Sequence, residues 1–381
     1  MMLTNKRYPI DLSGIFRAYG GDFLKNHTLC LDQQKAFRAI SQCRTASLGG
    51  HVDQCNRCKH TRIAYNSCRN RHCNKCQYVK QIQWVDQLES RLPICGYYHA
   101  VFTIPASLHG LFYLNQRLCY HILFKASSEA LMQVARSPQH LGAETGAVAV
   151  LHTWGQALTY HPHVHMLIPA GGLSSDGAEW IGSGRKFFLP VRVLSKIFRA
   201  IMWHMLAREA NKLRLPQVIG GIHGLKQQVY KKDWNVYLKK PIAGPKGVVR
   251  YLGRYTHRVA ISNSRLLSME GDKVTFSWKD YRKRLPTKQL LTLKADDFIN
   301  RFMHHVLPGG FYKIRYYGLL ASVNKDKLEK CYSLLGKSLH TTLFKGLSAS
   351  TVWGILQGKD LNKCTECGKG MMEPKTILDP V

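Results

Sequence analysis

Acidic residues are scarce in this chain: 23 aspartates and glutamates stand against 55 lysines and arginines, a formal net charge of +32 over 381 residues. The excess runs along the whole chain and is not confined to a tail. Such a surface repels itself unless a polyanion neutralises it, so nucleic acid is the expected partner. The shortage of acids also argues against a metal centre built on three carboxylates, because Asp233, Asp272 and Asp280 are each explained as turn or cap residues. No run of 18 or more apolar residues occurs, which leaves no membrane-spanning helix. No basic amphipathic helix stands out for a membrane surface. Residues 1–11 lack an apolar signal region, so a cytoplasmic, nucleoid-associated location is expected. A Walker-type phosphate loop is missing, and with it any expectation of ATP. Internal repeats and long low-complexity linkers are also missing. Hydrophobic content of 45% suffices for one large or two to three modest cores.

Cysteine, by contrast, is plentiful, with twelve residues. In an intracellular chain that number suggests metal, provided the spacings agree. Cys55-x-x-Cys58 and Cys73-x-x-Cys76, fourteen residues apart, fit a four-cysteine zinc site in which two knuckles close a tetrahedron of thiolates. Arg57, Lys59, Arg62, Arg69, Arg71 and Lys75 among them favour a structural module facing DNA. His51, His60, Cys68 and His72 are spare donors, which leaves a different quartet or a second ion open. Cys30, Cys43, Cys95, Cys119 and Cys331 are isolated and read as small buried residues. Cys364-Thr-Glu-Cys367 is a further knuckle without a visible second half. It is open to three readings: half a site completed by a partner, a residual knuckle, or nothing.

The stretch Tyr160-His161-Pro162-His163-Val164-His165-Met166-Leu167-Ile168 alternates imidazoles with other side chains. On a strand, His161, His163 and His165 share one face, and Val164, Met166 and Ile168 share the other. Two imidazoles so placed can hold one divalent ion, whereas a helix would send them to opposite sides. Residues 148–156 form the preceding strand candidate, which makes a hairpin. A turn centred near Thr159 and Tyr160 would set Gln156 opposite His163 as a third donor, with His152 and His161 as competitors. Further along, Gly244 and Pro245 open a helix in which Tyr251 and Tyr255 lie one turn apart on one face. Arg250, Arg254 and Arg258 form a neighbouring stripe suited to phosphate. Tyr312–Gly318 mixes basic and aromatic residues, as contact with unstacked bases requires.

A histidine–hydrophobic–histidine strand followed by a helix with two tyrosines four apart resembles the HUH endonuclease superfamily. With the cysteine-rich stretch in front, the chain resembles the two-tyrosine rolling-circle transposases of bacterial insertion sequences. The likeness rests on Cys55–Cys76, including residues 65–73; on His163-Val164-His165 with the following Gly171-Gly172; on Tyr251-Leu-Gly-Arg-Tyr255; and on residues 305–311. The resemblance implies an α+β fold: a central antiparallel, Rep-like sheet carrying the histidines, and a tyrosine helix packed against it. A small N-terminal zinc-binding module and mostly helical flanks complete it. It implies that Tyr251 and Tyr255 are catalytic, and that His163, His165 and Gln156 bind Mg²⁺ or Mn²⁺. Zn²⁺ would sit on Cys55, Cys58, Cys73 and Cys76, with His51, Cys68 and His72 as additional donors, and Arg250, Arg254 and Arg258 would contact DNA phosphate. The implied activity is single-strand DNA cleavage and strand transfer through 5′-phosphotyrosine on hairpin-containing transposon ends, without ATP. Three regions are expected: residues 1–92, helical and zinc-binding; 93–325, catalytic; and 326–381, basic with a CxxC. A replication initiator or relaxase with the same chemistry, and a non-catalytic zinc-dependent DNA-binding protein, are the alternatives.

Overall fold

The computed structural model describes residues 10–184, 189–217, 221–231, 233–242, 247, 260–280 and 287–381. Helices α1 (Leu12–Asn26) and α2 (Leu31–Gln42) lead into strands β1 (Gly50–Cys55) and β2 (Thr61–Tyr65) and helix α3 (Asn74–Glu89). Strand β3 (Tyr97–Thr103) then precedes helices α4 (His109–Leu114) and α5 (Gln116–Arg136), with strands β4 (Gly146–Trp154), β5 (Tyr160–Pro169), β6 (Gly171–Leu173) and β7 (Trp180–Gly182) after them. Helices α6 (Val191–Arg208) and α7 (Gly221–Tyr230) are followed by strands β8 (Val236–Ile242), β9 (Leu266–Glu270), β10 (Lys273–Asp280) and β11 (Thr287–Lys294). Helix α8 (Ala295–Met303), strand β12 (Ile314–Gly318), helices α9 (Lys325–Leu335) and α10 (Ala349–Gln357) and strand β13 (Met372–Leu378) complete the order. The fold is α+β, as expected from the sequence. Tyr251, Tyr255, Arg250, Arg254 and Arg258 lie outside the described residues. Among the described residues no helix is long and apolar enough to cross a membrane.

The central sheet has the order β12-β4-β5-β3-β8, with every neighbouring pair antiparallel. Period-two alternation sorts its side chains. Ala100, Phe102, Ala149, Leu151, Val164, Met166 and Ile168 face a core completed by Leu123, Phe124 and Leu131 of α5 and Phe198 and Met202 of α6. The opposite face carries Tyr97, Val148 and Leu167, which are covered by Leu88 of α3 and by Leu92 just after it. Farther along that face stand the histidines. A second core joins α1, α2 and α8 to the β9–β11 meander through Phe16, Phe23, Phe37, Phe276, Phe298 and Phe302.

The hairpin between β4 and β5 turns earlier than its sequence suggests. The Gly155 N–H donates to the Thr159 carbonyl, and Leu158 is fully buried in the left-handed region at φ 59°. The loop is therefore centred on Ala157 and Leu158. Its carbonyls are held from outside: Arg265 donates to Gln156 O, Arg301 to Ala157 O (3.3 Å) and His305 Nε2 to Leu158 O (3.1 Å). Three donors from the second core thus fix the end of the histidine hairpin.

His72 and His305 fasten the layers. The Leu307 N–H donates to His72 Nε2 (3.3 Å), and Thr153 Oγ1 lies 3.3 Å from His305 Nδ1. Burial lowers both pKa values from 6.5 to about 3. Between those values the unfolded chain binds protons that the folded chain refuses, so stability must fall as pH drops from about 6.5 towards 3. Tm measured across that range should decline steadily, and His305→Gln should flatten the slope. A Tm constant between pH 6.5 and 4 would contradict the neutral, buried placement.

Candidate metal centre

The register of β4 against β5 sets His152 directly opposite His163 and Val150 opposite His165. Since side chains alternate, His152, His163 and His165 emerge on one face, and their ligand atoms all lie within 4.8 Å of one another. The rings of His152 and His165 have centroids 4.4 Å apart, and those of His163 and His165 4.8 Å. His152 and His165 are buried, with 4% and 7% exposure. Burial lowers the His163 pKa to about 4 and that of His165 well below the ordinary value, so near pH 7 these rings are neutral and carry a lone pair for a ligand.

Two of the three rings are held through their far nitrogens. His163 Nδ1–H donates to the His161 carbonyl (2.6 Å), which leaves Nε2 as the free acceptor. His165 Nδ1 lies 2.8 Å from Nε2 of His99, a buried ring on β3 whose pKa burial lowers to about 4. Trp154 stacks on His152 at 4.6 Å. Imidazoles oriented from behind in this way match a metal-binding set. His99 was not anticipated from the sequence; it sits on a third strand, 66 residues from His165.

The residue facing His163 differs from the sequence-based expectation. Because the loop is centred on Ala157 and Leu158, Gln156 lies in the turn rather than across from His163, and His152 takes the facing position. His161, half-buried, has its ring near His109 (5.6 Å) and His163 (5.2 Å) but outside the three-ring group.

The expected zinc quartet is divided between two groups. Cys73 and Cys76, at the start of α3, meet Cys68 and also Cys43 at the end of α2. Sulfur separations are 3.6 Å for Cys43–Cys76 and Cys43–Cys73 and 3.7 Å for Cys68–Cys76. A tetrahedron with Zn–S bonds of about 2.3 Å has edges near 3.8 Å, so these sulfurs fit one zinc ion. Cys43 is accordingly not the isolated core residue its spacing suggested. Cys55 and Cys58 lie instead with Cys364 and Cys367. Of the spare donors, Cys68 joins the first group; His51 Nε2 pairs with Asp53 at 3.2 Å, and His72 accepts from Leu307 as described above.

Basic and aromatic surfaces flank the centre. Arg71, His72, Trp154, Ala260, His305 and Lys313 line a cavity of about 20 Å³ with no acid in its wall, and burial with the nearby Arg71 lowers the Lys313 pKa to about 7. At the β12 edge an open groove of about 1090 Å³ is bordered by Arg91, His121, Tyr312, Arg315, Tyr316 and Lys337. The basic–aromatic segment singled out in the sequence is thus an edge strand of the central sheet beside a groove.

A family model described as "Putative transposase" matches residues 146–327, which include all three histidines, and a "Transposase zinc-binding domain" of the IS91 type matches residues 15–104. The "Putative transposase y4qJ" of Sinorhizobium fredii (strain NBRC 101917 / NGR234) is 43% identical over 386 residues, 97% of this chain and 96% of the relative. The "Transposase for insertion sequence element IS801" of Pseudomonas savastanoi pv. phaseolicola is 31% identical over 352 residues, covering 88% and 82%. The chain belongs to the IS91/IS801 transposase family. No solved structure matches it. A transposase works on DNA, which accounts for the charge of +32. The zinc-binding domain of this transposase contains Cys43, Cys68, Cys73 and Cys76. Cys73→Ser should release zinc from this group and lower Tm, because a structural zinc site contributes directly to folding. Unchanged zinc content by elemental analysis would contradict the assignment.

Proposed function

We propose that this transposase cuts and rejoins single DNA strands at the histidine centre, with Tyr251 and Tyr255 as successive nucleophiles. The observation carrying the reading is the group His152, His163 and His165: three imidazoles converge on one point of the central sheet, and two, His163 and His165, are kept neutral by burial and hydrogen-bonded to His161 and His99. The antiparallel sheet bearing this group supports an HUH-type fold. A divalent ion bound there would polarise a non-bridging oxygen of the scissile phosphate and offset charge developing on it. Three nitrogen donors favour Mn²⁺ over Mg²⁺, more so than the two-histidine set expected from the sequence.

The tyrosines supply the covalent chemistry. A phenol with an ordinary pKa near 10 must lose its proton as it attacks phosphorus in line. A bond forms from the tyrosine oxygen to phosphorus, the bond to the 3′ oxygen breaks, and that oxygen leaves as a free 3′-OH after taking up a proton. The 5′-phosphotyrosine conserves the phosphodiester energy, so religation needs no ATP. Two tyrosines permit two such linkages in succession, the requirement for moving a strand by a rolling-circle route. Arg250, Arg254 and Arg258 are assigned to the phosphates, and the largely apolar groove along β12, with Tyr312, Arg315 and Tyr316 on its border, suits unpaired bases at hairpin-containing ends. Family membership favours transposition over plasmid replication initiation or relaxase activity. The remaining alternative, a zinc protein that binds DNA without cutting it, leaves the buried histidines without a task.

A labelled single-stranded oligonucleotide carrying the end of the element tests the assignment. With Mn²⁺ the wild type should form a covalent protein–DNA adduct, and the Tyr251→Phe/Tyr255→Phe double variant should form none. His163→Ala should slow adduct formation by about 100-fold or more, the scale for losing one preorganised charge-stabilising element. Undiminished adduct in the double variant would rule out the tyrosines. Undiminished adduct in His163→Ala would rule out the metal. His99→Ala should weaken Mn²⁺ binding by about 10–100-fold while leaving the three rings in place. Unaltered affinity in a Mn²⁺ titration would deny His99 its orienting role.

A further inference from the structure

We propose that Cys55, Cys58, Cys364 and Cys367 bind a second zinc ion, which fastens the C-terminal segment back onto the N-terminal module. Two of the four ligands lie far outside residues 15–104, the span of the zinc-binding family match. The inference is independent of the chemistry at the histidines.

The sulfurs are 3.7 Å apart for both Cys55–Cys367 and Cys58–Cys364. That spacing is near the edge of a zinc–thiolate tetrahedron and far beyond the roughly 2.05 Å of a disulfide. The two CxxC loops also repeat one backbone design. The residue four after the first cysteine donates its N–H to that cysteine's carbonyl, Lys59 to Cys55 (3.2 Å) and Gly368 to Cys364 (3.1 Å). Both residues are in the left-handed region, at φ 59° and 62°. Each loop also aims an amide at one of its sulfurs, at the first cysteine in one and the second in the other: Cys58 N to Cys55 Sγ (3.4 Å) and Gly370 N to Cys367 Sγ (3.3 Å). Amide donors aimed at sulfur stabilise the thiolate, the form that ligates metal. Two like knuckles facing each other make a zinc ribbon. A side chain at Gly370 would overlap the Cys55 sulfur, so the close approach of the loops depends on that glycine.

The packing around the site requires such a fastening. Strand β13 pairs with β1 from Gly50↔Leu378 to Cys55↔Met372, yet most of its residues are exposed and Ile377 is 82% exposed. Buried apolar residues here amount to Cys55, Cys364 and Met372, too little core to hold a three-stranded sheet. A structural metal is the usual substitute for a missing core. The segment that it would secure touches the border of the central sheet and α3 before it reaches β1. Lys327 on α9 pairs with Glu144, next to the central sheet. The buried Asp86 carboxylate on α3 accepts from Leu343 N (3.1 Å), Phe344 N (3.0 Å) and His340 Nε2 (2.8 Å), and Trp353 on α10 packs edge-on against Tyr78 at 5.4 Å. The ion would close this strap at the zinc module, making the DNA-binding end of the transposase a product of both chain termini.

The full chain, purified under reducing conditions, should contain two zinc ions by elemental analysis. Cys364→Ser/Cys367→Ser and Cys55→Ser/Cys58→Ser should each retain one, and limited proteolysis should then cut the segment after residue 336 faster than in wild type. Gly370→Ala, which keeps all four thiols, should lose this ion at a lower chelator concentration than wild type does. Either of two results would overturn the proposal: zinc content unaltered by Cys364→Ser/Cys367→Ser, or four thiols missing when the unreduced, denatured chain is titrated, as disulfides would require.

Discussion

The antiparallel register that faces His152 with His163 is the constraint on which the rest of the molecule depends. Side chains on a strand alternate, so a slip of one residue between β4 and β5 would turn the imidazoles into the apolar layer under α5 and α6. Two features oppose that slip. Val164, Met166 and Ile168 are fully buried on the helical side and would have to surface. The turn is also clamped by Arg265, Arg301 and His305, donors that belong to the meander and to the region of α8. The second core thereby sets the histidine geometry without contributing a ligand.

Electrostatics accounts for why the site is made of histidines. In a chain with a net charge of +32, cations crowd the surface, and a buried ring resists protonation both by desolvation and by its neighbours. His165 shows this directly: burial lowers its pKa first, and the adjacent His152, His163 and His99 lower it further. Neutral imidazoles are the form that binds metal, so the environment that makes the cluster costly to charge also keeps it ready for a cation. The same basic surface answers the need of a transposase to hold a polyanion, and the acid-free cavity around Arg71 and Lys313 extends it inward.

Much of this was legible in the sequence, and the parts that were not have physical reasons. Strand β5 and its two-faced pattern follow from period-two alternation. The shift from Gln156 to His152 turns on Leu158 adopting a left-handed conformation, which a local reading assigns to glycine or asparagine and not to leucine. Each of the three CxxC units keeps its two cysteines in one group, but spacing alone cannot choose partners, and the quartet expected from it is split. Cys43 and Cys364 reach their groups only through tertiary packing, the first at a helix end and the second across 306 residues. His99 was hidden for the same reason, being one strand away from the residue it touches. The α+β class was recoverable because strand and helix periodicities differ wherever one face is buried. The tyrosine and arginine stretch, 250–258, lies outside the described residues, so its part in the chemistry rests on sequence pattern and family.

The claim that His152, His163 and His165 build the divalent-metal centre is tested most directly by anomalous diffraction from crystals of the transposase soaked with Mn²⁺. The account predicts a manganese peak about 2 Å from a ring nitrogen of each of the three histidines, with Gln156 outside the coordination sphere. A peak held by other side chains, or ordered histidines with no metal between them at saturating Mn²⁺, would contradict it.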